Sequence, residues 1–319
     1  MATLVWIGFL LLVTGILALD LGIFHRRDRV IGIRESLLWS AAYIAAALAF
    51  NVFVYFLYEH HWLGFGAGEH LLATGQEAAL QFLTGYLIEK SLSLDNVFVI
   101  ALVFAYFGIP LKYQHRVLFW GILGALVLRG VMIGLGAALI ARFEWVTYVF
   151  GGILLATAVK MMLTDHEEIH PDRNPFVRLA RRFYPVTSEL DGHNFFTTWR
   201  GRRALTPMFV ALMIVESSDV VFAVDSIPAI FAVTRDPFIV FTSNVFAILG
   251  LRTLYFVLAS LHDRFHYLRH ALVAMLAYIG VKMLVSHYWP IPNHVSLLVI
   301  TALIAAGISV SLYTSRRRE

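Results

Sequence analysis

The chain has 319 residues, of which 59% are hydrophobic and only 14% are charged, and its mean hydropathy is +0.74. One soluble core could not bury this much apolar surface, so the composition excludes an ordinary soluble domain and predicts contact with lipid. The absence of cysteine excludes disulfides, thiolate metal ligands and a thiol nucleophile.

Nine segments are apolar and long enough to cross a bilayer, which needs about 20 residues of helix. In chain order they are 4–24, 36–58, 79–108, 116–141, 145–163, 205–233, 238–261, 268–288 and 294–314. The first segment has no Lys or Arg before it and four Arg soon after it, which is the reverse of a secretory signal. The sequence therefore predicts an all-α polytopic membrane protein with about nine transmembrane helices.

The basic residues between these segments fall almost entirely on one side of the membrane. With the N-terminus outside, eighteen Lys and Arg lie in cytoplasmic loops and the tail, two lie in external loops, and five lie inside the predicted helices. Cytoplasmic loops have such an excess, so we expect the N-terminus outside and the C-terminus in the cytoplasm. The isoelectric point near 9.3 then indicates topology, and nucleic acid is not expected as a partner.

The longest polar stretch, residues 164–204, is predicted to be a cytoplasmic loop between two membrane halves. Its length and charge are typical of a linker, and a regulatory or partner-binding element is the alternative. The predicted parts of the chain are two N-terminal transmembrane helices in 1–77, a first three-helix unit in 78–163, the loop, a second three-helix unit in 205–288, and a C-terminal helix with a basic tail in 289–319.

The two three-helix units contain matching sequences. Ser93-Leu-Asp-Asn-Val-Phe-Val99 matches Ser217-Ser-Asp-Val-Val-Phe-Ala223, at an offset of 124 residues, and two later pairs match at offsets of 126 and 122. Because each unit has three spans, the second unit must enter the membrane from the opposite side. Inverted repeats of this kind are typical of secondary transporters, whose site lies near the middle of the membrane between the repeats.

Five carboxylates lie inside the predicted third and sixth helices. They are Glu89, Asp95, Glu216, Asp219 and Asp225. A charge at the centre of a lipid-facing helix costs about 2.5 to 3.5 kcal/mol, so five would cost about 12 to 18 kcal/mol, comparable to the stability of a whole protein. Protons, basic side chains or a metal ion must therefore neutralise them.

Ion pairing is the architectural alternative to a metal site. The three deep basic residues Lys90, Arg129 and Arg252 leave two of the five negative charges unpaired, which matches one divalent cation or two protons. The available ligands, with Asn96 and Ser226 among them, are all oxygen donors. Such a set suits hard cations such as Mn²⁺, Ca²⁺ and Mg²⁺.

The spacing of the carboxylates raises a geometric difficulty. Glu89 and Asp95 are six residues apart, as are Asp219 and Asp225, so in a straight helix each pair diverges by about 120°. We therefore expect a break in the sixth helix near Pro228, where unwound backbone would also provide carbonyl ligands.

The segments Glu89–Val99 and Glu216–Ala229, hereafter the first and second acidic signatures, resemble the TerC family and within it the Alx-like bacterial members. The resemblance implies a multi-pass protein of the bacterial inner membrane, in the wider LysE-like transporter superfamily, associated with manganese homeostasis and Mn²⁺ export. It also implies that Glu89, Asp95, Glu216, Asp219 and Asp225 are the functional acids. Asn96 and Ser226 are weaker candidates.

The leading hypothesis is a secondary transporter that exports Mn²⁺ through a mid-membrane carboxylate site, with coupling to protons as an option. Mn²⁺ would be the transported substrate, and no tightly bound cofactor is expected. A Ca²⁺/H⁺ exchanger and an accessory protein for membrane insertion are the alternatives. An aspartyl protease is disfavoured because its GxGD pattern is absent, so we do not expect an enzyme. The expected partners are the lipid bilayer and the cation, and the oligomeric state stays open.

Overall fold

The structure, a computed structural model, describes residues 2–24, 32–65, 74–163, 174–259 and 268–318. In these residues there are eleven α-helices, one 3-10 turn at Trp62–Gly64 and two β-strands. The helices are α1 (Ala2–Phe24), α2 (Ile33–Glu59), α3 (Gly75–Tyr106), α4 (Leu111–Arg142), α5 (Val146–Leu163), α6 (Pro175–Phe183), α7 (Pro207–Phe231), α8 (Pro237–Leu249), α9 (Leu251–Ala259), α10 (Leu268–Val285) and α11 (Asn293–Arg318), and the strands are β1 (Phe196–Trp199) and β2 (Arg202–Leu205).

Every predicted membrane segment coincides with a helix, and α8 and α9 together form the seventh segment. In the described parts of the chain, six segments are long and apolar enough to cross a membrane, namely α2, α4, α5, α7, α8 with α9, and α11. α3 is not among the six, and Glu89, Lys90 and Asp95 all lie within it. The all-α polytopic membrane architecture is therefore confirmed, whereas the number of nine spans stays a prediction.

The two helices that contain the acidic signatures lie at the centre of the helix bundle. α3 packs against α2, α7 and α8, and α7 packs against α3, α4 and α5. α8 is buried along nearly its whole length. α1 and α4 instead expose large apolar side chains such as Leu11 and Val127, which is the arrangement expected of helices that face lipid.

The segment 164–204 contains structure that the sequence did not predict. Its described part begins with α6, and Asn174 caps this helix by accepting hydrogen bonds from the backbone N–H groups of Phe176 and Val177. β1 and β2 then form an antiparallel hairpin that leads into α7. Val177 is only 1% exposed and belongs to a buried cluster with residues of α3, α4 and α7. This segment is therefore packed onto the bundle, which a plain linker would not be.

The expected break near Pro228 is absent, since α7 continues as helix to Phe231, three residues beyond the proline. A break occurs instead in the next segment, where α8 ends at Leu249 and Gly250 separates it from α9. Lys90 Nζ donates a hydrogen bond to the Ala247 carbonyl at 3.2 Å. A cation is favourable at the C-terminal end of a helix, so Lys90 stabilises the end of α8 at this break.

α5 and α10 cross at two glycines in a reciprocal arrangement. A Cβ on Gly151 would lie 3.1 Å from the Gly280 carbonyl and 3.0 Å from Leu284, and a Cβ on Gly280 would lie 3.1 Å from the Gly151 carbonyl and 3.0 Å from Leu155. Gly151 and Gly280 are 129 residues apart, as are Leu155 and Leu284, so this offset differs from the 122 to 126 residues of the sequence matches. A twofold relation between two units would produce such a contact. The boundaries of the inverted repeat stay a prediction.

The predicted orientation can be tested with reporter fusions, because the charge asymmetry predicts on which side of the membrane each loop lies. We expect a green fluorescent protein fused after Asp191 to fluoresce, as cytoplasmic fusions do. Alkaline phosphatase fused within residues 66–73 should be active, as external fusions are. The opposite result at both positions would reverse the topology and remove the argument for an inverted repeat.

Candidate cation site

A buried arginine joins one carboxylate from each acidic signature. Arg129, on α4, is 1% exposed, and its Nη2 and Nε donate to Asp219 Oδ1 at 2.8 Å and Asp219 Oδ2 at 3.1 Å. Its Nη1 donates to Glu89 Oε1 and also to Ser226 Oγ at 3.2 Å. The two-pronged contact with Asp219 fixes the guanidinium plane, as bidentate pairs of this kind do. We call these four residues the Arg129 cluster.

Asn96 extends the cluster, because its Nδ2 donates to Asp219 Oδ1 at 3.1 Å. Four of the seven predicted site residues, namely Glu89, Asn96, Asp219 and Ser226, therefore meet at one point between α3, α4 and α7. All four are at most 8% exposed. From the sequence, Arg129 was considered only as a possible ion-pair partner, and its central position was not predicted.

Glu216 lies one helical turn before Asp219 on α7, so the two carboxylates share a face of that helix. Its carboxylate packs against the bare backbone of α4 at Gly124, where a Cβ would collide with it. Glu216 Oε2 is buried and has no hydrogen-bond partner in the described part of the chain. Glu216 therefore adds a second carboxylate beside Asp219 with one oxygen uncommitted.

The other two predicted acids face away from the cluster. Asp225 accepts a hydrogen bond from Thr157 of α5 at 2.7 Å, with Lys160 as a nearby cation. Asp95 lies near Arg269 of α10. This separation follows from straight helices, in which successive residues point about 100° apart and positions six apart diverge. Asn96 is the α3 residue that contacts Asp219 directly, and Glu89 is linked to Asp219 through Arg129.

The segment 164–204 also reaches the second acidic signature. Asn174, at the start of α6, donates through Nδ2 to Ser217 Oγ at 2.6 Å. Ser217 is ten residues into α7, about 15 Å along its axis, and lies between Glu216 and Asp219 in sequence. The N-terminal end of α6 is therefore level with the acidic residues of α7.

Comparisons with known proteins give a consistent result. The sequence profile of the "Integral membrane protein TerC family" matches residues 74–319. The chain belongs to the TerC family. It is 51% identical to "Uncharacterized membrane protein STKORF319" of Myxococcus xanthus, over 98% of this chain and 92% of that protein. It is 43% identical to the "Putative membrane-bound redox modulator Alx" of Escherichia coli K12, over 99% and 96% of the two chains. No solved structure matches the chain.

The formal charges of the acidic residues and Arg129 in this TerC-family protein do not cancel. Glu89, Asp219 and Glu216 contribute three formal negative charges and Arg129 contributes one positive charge, so the balance is two negative charges. The described residues contain no group of three or more acidic or histidine side chains already arranged to bind a metal ion. A cation would therefore have to compete with Arg129 for Glu89 and Asp219.

Proposed function

We propose that this TerC-family protein is a secondary transporter that exports a hard divalent cation, Mn²⁺ in the first instance, from the cytoplasm. The observation that supports the proposal is that Glu89 and Asp219, one from each acidic signature, both bind the buried guanidinium of Arg129. Buried ion pairs seldom offset their own desolvation, so an architectural role alone would be a poor reason to keep these charges inside a membrane.

In this proposal Arg129 acts as a tethered counter-ion. It neutralises Glu89 and Asp219 while no cargo is bound, which keeps the buried carboxylates from being left with uncompensated charge. The cargo cation approaches Glu216 and Asp219, binds the uncommitted Glu216 oxygen, and displaces the guanidinium from Asp219. After the cargo is released, Arg129 returns to the carboxylates or protons neutralise them. The empty transporter can then change conformation without leaving an uncompensated carboxylate charge in the membrane.

The ligand chemistry supports a hard cation. Carboxylate, hydroxyl and amide oxygens are the donors at this site, and the chain contains no cysteine. The name of the relatives in Escherichia coli describes a redox role for those proteins. Thiol–disulfide chemistry could not come from the side chains of this chain, because it has no thiol. Ca²⁺ satisfies the same ligand rules as Mn²⁺, so a Ca²⁺/H⁺ exchanger is the alternative that the test below distinguishes.

The proposal is tested by flux measurements in proteoliposomes with Mn²⁺, Ca²⁺, Mg²⁺ and Zn²⁺. We expect wild-type protein to transport Mn²⁺, and Asp219→Asn to lose at least about tenfold in affinity, equivalent to about 1.4 kcal/mol. Asn keeps the volume and one oxygen ligand, and Arg129 keeps Glu89 as a partner, so the variant should fold.

Asp191→Asn, an exposed change outside the membrane helices, is the matched control and should behave as wild type. Absence of flux for all four cations would refute transport. If Asp219→Asn bound the cation with wild-type affinity, Asp219 would not be a ligand and the proposed site would be wrong. Preference for Ca²⁺ with counterflow of protons would favour the exchanger.

A further inference from the structure

Asn244 of α8 is a buried amide with no hydrogen-bond partner among the residues that the structure describes. The residue is 1% exposed, and neither its Oδ1 nor its Nδ2 has a hydrogen-bond partner in the described part of the chain. Glu89 Oε2 is also buried and without a partner there. Buried polar groups are nearly always satisfied, and leaving both ends of an amide unpaired is costly. A side chain kept at this cost, close to an ionic site, is a candidate ligand.

The neighbours of Asn244 along α8 establish which way it faces. Val240, one turn earlier on the same face, belongs to a buried cluster with Ile133 of α4 and Ile227 of α7. Phe241 packs on Gly130 of α4, where a Cβ would lie 3.2 Å from its ring. Asn244 therefore points toward α4 and α7, on the side of α8 where the Arg129 cluster lies.

Two sets of contacts indicate the position of Asn244 along the axis of the helix bundle. Phe241 is opposite Gly130, and Tyr255 further along contacts Gln114, so this segment packs antiparallel to α4. Asn244 is then opposite about position 127 of α4, within one helical turn of Arg129. Relative to α3, Ser243 is next to Gly85, where a Cβ would lie 2.8 Å from Ser243 Oγ.

Ala247 accepts a hydrogen bond from Lys90 on that same helix. Asn244 lies between Ser243 and Ala247 on α8, just as Glu89 lies between Gly85 and Lys90 on α3. The two side chains are therefore within about one helical turn of each other along the bundle axis.

We propose that Asn244 is a further ligand of the transported cation, binding it through Oδ1 together with Glu89 Oε2 on the α8 side of the Arg129 cluster. This inference rests on the proposed function. An amide oxygen is an ordinary ligand for hard divalent cations, and being neutral it adds coordination without adding charge. The cation would then lie between α3 and α8, beside Arg129, bound by Glu89 and Asn244.

The test uses Mn²⁺ binding to the purified full-length protein, together with its thermal unfolding temperature. We expect Asn244→Leu to weaken Mn²⁺ binding at least tenfold. Its unfolding temperature without metal should equal or exceed that of wild type, because leucine removes an unsatisfied amide from an apolar surrounding. If Asn244 instead stabilised the fold, Asn244→Leu would lower the unfolding temperature and leave Mn²⁺ binding unchanged. Asn51→Leu on α2, where Oδ1 is likewise buried and unpaired, is the control and should leave Mn²⁺ binding unchanged.

The outcomes separate this inference from the proposed function. If wild-type protein binds no divalent cation, the proposed function fails and the ligand assignment fails with it. If wild type binds Mn²⁺ and Asn244→Leu binds it equally well, only the ligand assignment is overturned. If Asn244→Leu does not fold, Asn244→Asp decides: it keeps the oxygen ligand, so Mn²⁺ binding should be retained or become tighter, and a tenfold loss would overturn the assignment.

Discussion

Replacing Arg129 with glutamine is expected to lower the free energy of unfolding by about 3 to 5 kcal/mol, because Glu89 and Asp219 would be left buried without a counter-charge. Mn²⁺ should reverse part of this loss, since a divalent cation supplies the missing positive charge to the same carboxylates. The measurement is thermal unfolding in detergent, with and without Mn²⁺, followed by tryptophan fluorescence.

Arg142→Gln is the matched control for this experiment. Arg142 is at the exposed end of the same helix, and its described contact is with the ring of Phe143 rather than with an acid. We expect little change in its stability and no added response to Mn²⁺. If Arg129→Gln were as stable as wild type, the Arg129 cluster would not be a significant ion-pair network. If it were unstable but insensitive to Mn²⁺, the tethered counter-ion proposal would be wrong.

Replacing Gly151 with leucine is expected to destabilise the protein by about 1 to 3 kcal/mol or more, since the side chain would have to enter the crossing of α5 and α10. Its Cβ alone would lie 3.1 Å from the Gly280 carbonyl, and backbone cannot give way as a flexible side chain can. Yield of folded protein and unfolding temperature in detergent are the measurements.

The adjacent Gly152 provides a close control, because a Cβ there would meet nothing within 4 Å. Gly152→Leu adds the same apolar side chain to the same helix and removes a glycine that is unfavourable in helices, so its stability should be unchanged or higher. Equal loss in both variants would mean that the effect comes from the helix itself and not from the crossing.

The sequence predicted the helices well because spanning a bilayer imposes a strong and simple pattern of apolar length. Each of the nine predicted segments coincides with a helix. The break in a helix was predicted less well. Pro228 was expected to interrupt α7, but it lies in the last turn, where few backbone hydrogen bonds are lost. At the break near Gly250, Lys90 from another helix contacts the end of α8, and a local pattern does not contain that partner.

The candidate site was predicted in part. Both acidic signatures meet, as the matching segments suggested, and Glu89, Asn96, Asp219 and Ser226 lie together. The position of Arg129 could not be read from its own helix, because nothing in the sequence of α4 states which neighbours it faces. The roles of Asp95, Glu216 and Asp225 as metal ligands stay predictions.

Asn244 illustrates a different reason why sequence reasoning falls short. A single asparagine in an apolar helix has several ordinary explanations, such as a hydrogen bond to a neighbouring helix. Only the structure reveals that its amide has no hydrogen-bond partner among the described residues and that it lies within one helical turn of Arg129. The signal that could have identified it was its place in a long apolar segment, where a polar residue is costly.

The bond between Asn174 and Ser217 links α6 to α7 at the level of the acidic residues of α7. Asn174 uses Oδ1 to cap α6 and Nδ2 to bind Ser217, so a rotation of α7 would strain the cap as well. Coupling between two binding equilibria is reciprocal. In the proposed transporter, a lipid or protein that held α6 in place would therefore change the affinity of the acidic residues for the cation. Bound cation would change the affinity of α6 for that lipid or protein by the same factor.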